Sequence, residues 1–175
     1  MSILKVARMG HPVLRRKARP LEKTEIKSAI VQKLIDDMME TMAEYHGVGL
    51  AAPQIHESLR IFVAVLDAAE EDAAEAEPLA LINPEITVIG DETVEDWEGC
   101  LSIPDIRGRV PRAKEINVRA YDRRGDWLEL RAHDFPARVI QHETDHLDGV
   151  LFFDRMVKLD SLTFLEEYSR YWVKD

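Results

Sequence analysis

His142-Glu143-Thr144-Asp145-His146 places two histidines four residues apart, with a glutamate beside the first. On a helix that spacing puts both rings on one face, where each can offer a nitrogen to the same metal ion. The adjacent carboxylate then points near the ion's open position and can take a proton from water held there. A bound divalent ion lowers the pKa of such water to about 7, so the chemistry on offer is hydrolysis near neutral pH. Two surface histidines with a coincidental spacing are the plain alternative, and the H-E-x-x-H pattern on a helix makes it the lesser reading.

Two histidines need a third protein ligand, and the residues alone leave several open. A histidine after the glycine turn is ruled out, because Phe152 stands where it would fall. Glu166 or Glu167, on a later helix, lies at a suitable distance, although a charged helix near the terminus is more simply solvated. Cys100 offers a thiolate, a strong ligand for zinc or iron, against its ordinary role as a small buried hydrophobe. Its setting, Glu98-Gly99-Cys100-Leu101-Ser102, has a glycine that lets the backbone approach another group closely. Gly47-Val48-Gly49-Leu50-Ala51-Ala52-Pro53-Gln54 is a third segment of small residues, ending in a neutral amide donor. By itself it reads as a Gly/Ala-rich helix exit.

These residues need elements to hold them. Ile26, Ile30, Leu34, Met38 and Met42 recur every fourth residue and predict a helix over residues 25–45, with Thr24 as N-cap and a stop at Gly47. Branched runs at Arg60–Leu66 and Glu85–Ile89 predict strands. Glu115–Tyr121 and Asp126–Arg131 flank Asp122-Arg123-Arg124-Gly125, which reads as a hairpin. The histidine helix should begin near His133–Pro136 and end before Gly149, and Leu159–Trp172 reads as a third helix. Strands fill the middle without a repeated βαβ rhythm, which predicts an α+β fold. The whole chain, 1–175, reads as one catalytic domain.

Composition narrows the classes. Acids outnumber bases by 33 to 23, and the apolar share of 46% supports a real core. Six acids and no base fall within residues 67–78, a stretch that reads as a solvated loop. The acidic balance argues against sequence-specific nucleic-acid binding. No apolar run is long enough for a membrane span, and one cysteine excludes a disulfide scaffold, so a cytoplasmic setting is expected. The basic N-terminus is broken by Gly10, Pro12 and Pro20 and reads as extended mature chain rather than a targeting helix.

Together, GVGLAAPQ, EGCLS and QHETDH, in this order, resemble the three motifs of the peptide deformylases. Gly10-His11-Pro12-Val13-Leu14-Arg15 resembles that family's N-terminal G-x-P-x-L-R, and His146 to Phe152 resembles its D-H-L-x-G-V-L-F exit. Ile103-Pro104, Arg107 and Val110-Pro111-Arg112 continue the second motif. His56 stands where many members carry glycine. The resemblance implies removal of the formyl group from N-terminal formyl-methionine of new polypeptides, with antiparallel sheets packed around a central histidine-bearing helix, a long N-terminal helix and a C-terminal helix. It implies Cys100, His142 and His146 as ligands of one divalent ion, Fe²⁺ in cells, with Zn²⁺, Ni²⁺ or Co²⁺ as replacements. Glu143 would be general base and then acid, and the Gln54 amide with the Leu101 backbone N–H would hold the oxyanion. Val48, Glu98, Leu101 and Val139 would line the methionine pocket, Gly49 would crowd the formyl group, and Arg107 would face the peptide backbone. The expected partners are formyl-methionyl nascent peptides and, transiently, a ribosome of bacterial type. Asp145 and Arg112 are expected to pair either behind the metal or as a plain surface ion pair.

Overall fold

The computed structural model describes residues 2–66 and 77–173. The acidic stretch at 67–78 lies almost wholly outside them, so its expected character has no structural counterpart here. Four α-helices occur among the described residues: α1 (Lys23–Ile26), α2 (Ala29–Glu44), α3 (Asp134–Leu147) and α4 (Leu165–Tyr171). The eight strands are β1 (Gly49–Ala51), β2 (Ile61–Ala64), β3 (Leu79–Val88), β4 (Thr93–Cys100), β5 (Ile103–Ala113), β6 (Glu115–Tyr121), β7 (Trp127–His133) and β8 (Thr163–Phe164). They form an antiparallel five-stranded sheet in the order β1-β2-β3-β6-β7 and a three-stranded sheet in the order β4-β5-β8.

The five-stranded sheet is covered on both faces. Phe62 and Ala64 of β2 point with Leu81, Ile116 and Val118 towards Ala137, Ile140 and Leu147 of α3. Ile61 and Val63 point the other way, onto Ile35, Met38 and Met42 of α2. Period-two alternation sorts the side chains onto two buried faces, which is why the Arg60–Leu66 run is apolar throughout rather than alternating. β5 meets the N-terminal segment and Phe152 in a third cluster with Val13, Leu14, Ile103 and Val110. The histidine helix α3 therefore lies between two antiparallel sheets, the α+β arrangement expected.

Three expectations need correction. The predicted N-terminal helix is two pieces, with a break at Lys27 and Ser28, and the N-cap of α2 is Ser28, whose hydroxyl accepts from the Val31 N–H at 3.3 Å. Ile30 is 83% exposed, while Val31, Ile35, Met38 and Met42 are buried. A row of every fourth residue drifts about 40° per step on a 3.6-residue helix, so five such positions cannot share one face. The C-terminal helix is also shorter than predicted: Leu159–Trp172 holds β8 and the seven-residue α4. Finally, β4 and β5, the strands flanking the EGCLS segment, went unread, because Arg, Asp and Pro dilute their strand pattern.

Candidate metal-centred active site

Two elements bring the metal-ligating donors together. The β4–β5 hairpin pairs Cys100 with Ile103, and its register shifts between Glu98 and Cys100. A bulge of this kind bends the strand and re-aims its next side chain. Here the re-aimed residue is Cys100. Gly99 lets the Arg107 guanidinium lie close against the bend: a Cβ there would sit 2.3 Å from Arg107 Nη1, and the arginine would have to move. From the facing helix come His142 and His146. The Cys100, His142 and His146 donor atoms lie within 4.8 Å of one another, and Cys100 Sγ is 3.2 Å from His146 Nε2. One thiolate and two imidazoles suit a borderline-soft divalent ion with a further position left open. Glu166 stands apart, 78% exposed in its side chain and paired with Arg170.

Behind His142 lies a buried charge network. Its Nδ1 is 2.9 Å from Glu98 Oε2, so the carboxylate takes that N–H and leaves Nε2 as the ligand nitrogen. Glu98 also accepts from Arg112 Nε at 2.8 Å, Arg112 Nη2 at 3.0 Å and Arg138 Nη1 at 2.8 Å. Burial alone would raise the Glu98 pKa; hydrogen bonds from His142 and Arg112 outweigh it and hold the group well below the usual carboxylate range. Arg112 reaches on to Asp145 at 2.5 Å with both side chains buried, so of the two expected pairings the buried one is present. Arg155 closes the cluster on Asp145 Oδ1 at 2.6 Å.

Glu143 is buried, and its Oε2 has no hydrogen-bond partner. Burial pushes its carboxyl up to about 7, although the His142 and Arg112 charges pull the other way. Gly49 makes room for it: a Cβ on Gly49 would fall 2.4 Å from Glu143 Oε1. Gln54 is fixed by its own oxygen, which accepts from the Ala51 N–H at 2.8 Å. Its Nε2 is thereby aimed at Ser102 Oγ (3.2 Å) and Cys100 Sγ (3.5 Å). The N-terminal segment braces both sides of this contact, with Ala7 N–H donating to Gln54 O and Met9 N–H to Ser102 O. His56, two residues after Gln54, has φ +69°, the left-handed region that glycine favours.

These groups open into a cavity of about 690 Å³. Val48, Gly49, Gln54, Glu98, Cys100, Leu101, Arg107, Val139, His142 and Glu143 all line it, and His146 closes the metal position behind. Arg138 went unnoticed in the sequence. It is buried, one helical turn before His142, and binds the Val94 and Val110 carbonyls as well as Glu98. The spacing of four before a ligand histidine was the available signal.

The polypeptide deformylase family model matches residues 3–161. The chain belongs to that family. Peptide deformylase 2 of Nostoc sp. is 44% identical over 99% of this chain and 97% of its own length. The crystal structure of a Met-Ala-Ser-bound class I type b peptide deformylase from Acinetobacter baumannii covers 89% of this chain and 99% of its own, at 39% identity and TM-score 0.81. Peptide deformylase from Thermotoga maritima superposes with TM-score 0.81 at 41% identity, over 90% of this chain and 100% of its own. The family's reaction, metal-dependent hydrolytic removal of the formyl group from the N-terminus of new polypeptides, is the activity of this chain. The Cys/His/His set and the deformylase family agree on one divalent ion.

Proposed function

We propose that this chain deformylates formyl-methionyl peptides with Glu143 as the proton carrier. The observation that supports this most is the buried Glu143 carboxylate, one oxygen unpartnered, beside the Cys100–His142–His146 donors at the cavity wall. When bound by those three side chains, a divalent ion would make water nucleophilic at neutral pH. Glu143 takes the proton that the water gives up and passes it to the nitrogen of the leaving amine. A buried carboxylate with an unpartnered oxygen is placed to make both transfers. Gln54 Nε2 and the Leu101 N–H donate to the oxygen that gains charge as the formyl carbonyl is attacked. Val48, Leu101, Val139 and the aliphatic part of Glu98 flank the methionine side chain, and Gly49 keeps the formyl end narrow. Arg107 holds the peptide main chain.

The resident ion in this reading is Fe²⁺, carried over from the family resemblance. The setting is the cytoplasm, with transient contact to the ribosome as nascent chains emerge, and the chain works as one catalytic domain. Among the described residues no helix is long and apolar enough to cross a membrane. The deciding assay is formate release from formyl-Met-Ala-Ser under anaerobic conditions, with metal analysis of the same sample. Turnover with about one metal per chain is expected. Binding of the peptide without formate release would leave only a peptide-binding module. Metal retained by Cys100→Ala but lost from Glu166→Ala would make Glu166 the third ligand in place of Cys100.

A further inference from the structure

Part of the cavity wall lies beyond the residues that the family model matches. The match ends at residue 161, yet Leu165, the first residue of α4, lines the cavity with Trp97 and Phe135. Main-chain pairing puts it there: Thr163 and Phe164 of β8 pair with Arg107 and Ile106 of β5, and Arg107 is itself a cavity residue. The same segment braces Trp97. The Tyr168 ring stands edge-on to it at 4.9 Å between centroids, and Trp172 lies at 5.5 Å. Leu165, Tyr168 and Trp172 are spaced three and four apart, so they share one side of the helix. No residue of α4 is fully buried. Its apolar side is therefore not filling a core, and it faces an aromatic ring at the rim of the reaction cavity.

We propose that Trp97 and Leu165 form a contact site for an apolar side chain of the peptide downstream of its formyl-methionine, with Tyr168 and Trp172 holding the Trp97 ring in place. This rests on the deformylase reading and adds a substrate preference to it. The occupant follows from continuity: Trp97 and Leu165 bound the same cavity as His142 and Glu143, so a chain anchored there by its formyl end leads out past them. A contact remote from the reacting carbonyl is made equally in ground and transition states, so it acts through KM rather than kcat.

The test compares formyl-Met-Ala-Ser, formyl-Met-Phe-Ser and formyl-Met-Ala-Phe on the metal-loaded full chain. One of the phenylalanine peptides should exceed formyl-Met-Ala-Ser by about tenfold in kcat/KM, carried by KM, as expected for partial burial of an aromatic side chain. Leu165→Ser and Trp97→Ser should each shrink that ratio to about twofold or less, and Tyr168→Ala should give an intermediate value. Phe164→Ser, an exposed neighbour outside the cavity lining, should keep the full ratio. Each ratio is taken within one variant, so a lowered folded fraction cancels. Equal kcat/KM for all three peptides in the unmodified protein, or a full ratio surviving in both Leu165→Ser and Trp97→Ser, would overturn the proposal. Failure to turn over any of the three peptides would instead bring down the deformylase reading.

Discussion

Glu143 is held in a place where its charge is costly, and this gives two separable predictions. In the proposed mechanism its carboxyl moves protons while Cys100, His142 and His146 hold the ion, so Glu143→Ala should keep its metal and lose most turnover. A variant within about tenfold of the unmodified rate, or about 1.4 kcal/mol of barrier, would remove Glu143 from the mechanism. The second prediction concerns the metal-free protein. A carboxyl raised from 4.5 to about 7 binds its proton more tightly folded than unfolded, so its ionisation withdraws stability as pH climbs through that window. Full conversion is worth roughly 3 kcal/mol. Glu143→Gln, which cannot ionise, should match the unmodified metal-free protein near pH 4 and be the more stable by pH 8, read by urea unfolding at each pH. Equal stability at both ends would mean the carboxyl is not enclosed as the geometry has it. Gly49 sets the same site from the other side. Gly49→Ala puts a methyl 2.4 Å from Glu143 Oε1, so the Glu143 side chain must shift from its place and the expected result is a large loss of kcat in a folded protein.

Among the elements, α2 offers a clean contrast. Ile30 and Ile35 are both isoleucines of one helix, one exposed and the other buried against the sheet. Ile35→Ala should cost about 2–5 kcal/mol, whereas Ile30→Lys should stay within about 0.5 kcal/mol. Denaturant midpoints of the two variants check this directly, and equal costs would mean the helix is rotated from its described position. The hairpin of β4 and β5 depends on the network around Glu98. Its removal takes the shared carboxylate from the buried guanidinium groups of Arg112 and Arg138, leaving Arg112 only Asp145 and Arg138 only main-chain carbonyls. Breaking a buried pair in this way typically costs about 3–5 kcal/mol, so Glu98→Ala is expected to lose both stability and grip on the metal through His142.

For the molecule as a whole, the ion is also a crosslink. Its proposed ligands come from β4 and α3, elements of two different layers, so metal binding there would add directly to folding stability. Free metal at 100 times its dissociation constant contributes about 2.7 kcal/mol, and a chelator should lower Tm by a matching amount. An unchanged Tm after verified metal loss would separate the site from the fold. The identity of the ion has its own test. Enzyme prepared with Fe²⁺ should be highly active without oxygen and decay in air, since Fe²⁺ and its Cys100 ligand are both open to oxidation. The Ni²⁺ form should persist under the same conditions. Equal, air-stable activity of the zinc and iron forms would retire the iron assignment and leave the three ligands standing.

Residue type and short spacing were enough for much of the site. Helical geometry alone pairs His142 with His146, and the small residues at Gly49 and Gly99 announce close approach before the approaching groups, Glu143 and Arg107, are known. The family motifs join Cys100 and Gln54 to them, because each motif is a contiguous string. The α+β class was legible too, since strand and helix periodicities are local. What stayed hidden depends on distant segments meeting. The phase of α2 is set by the break at Ser28 and by which side chains the sheet covers, so the repeat of four misplaced Ile30. The role of Glu98 needs Arg112, Arg138 and His142 around it, three residues from two other elements. Likewise Leu165 lines the reaction cavity only because β8 pairs with β5, Phe164 lying 58 residues beyond its partner Ile106 in the chain. A sequence prescribes which groups can bond over a few residues. Which buried charge answers which, and which surface helix becomes a cavity wall, is decided when the layers close.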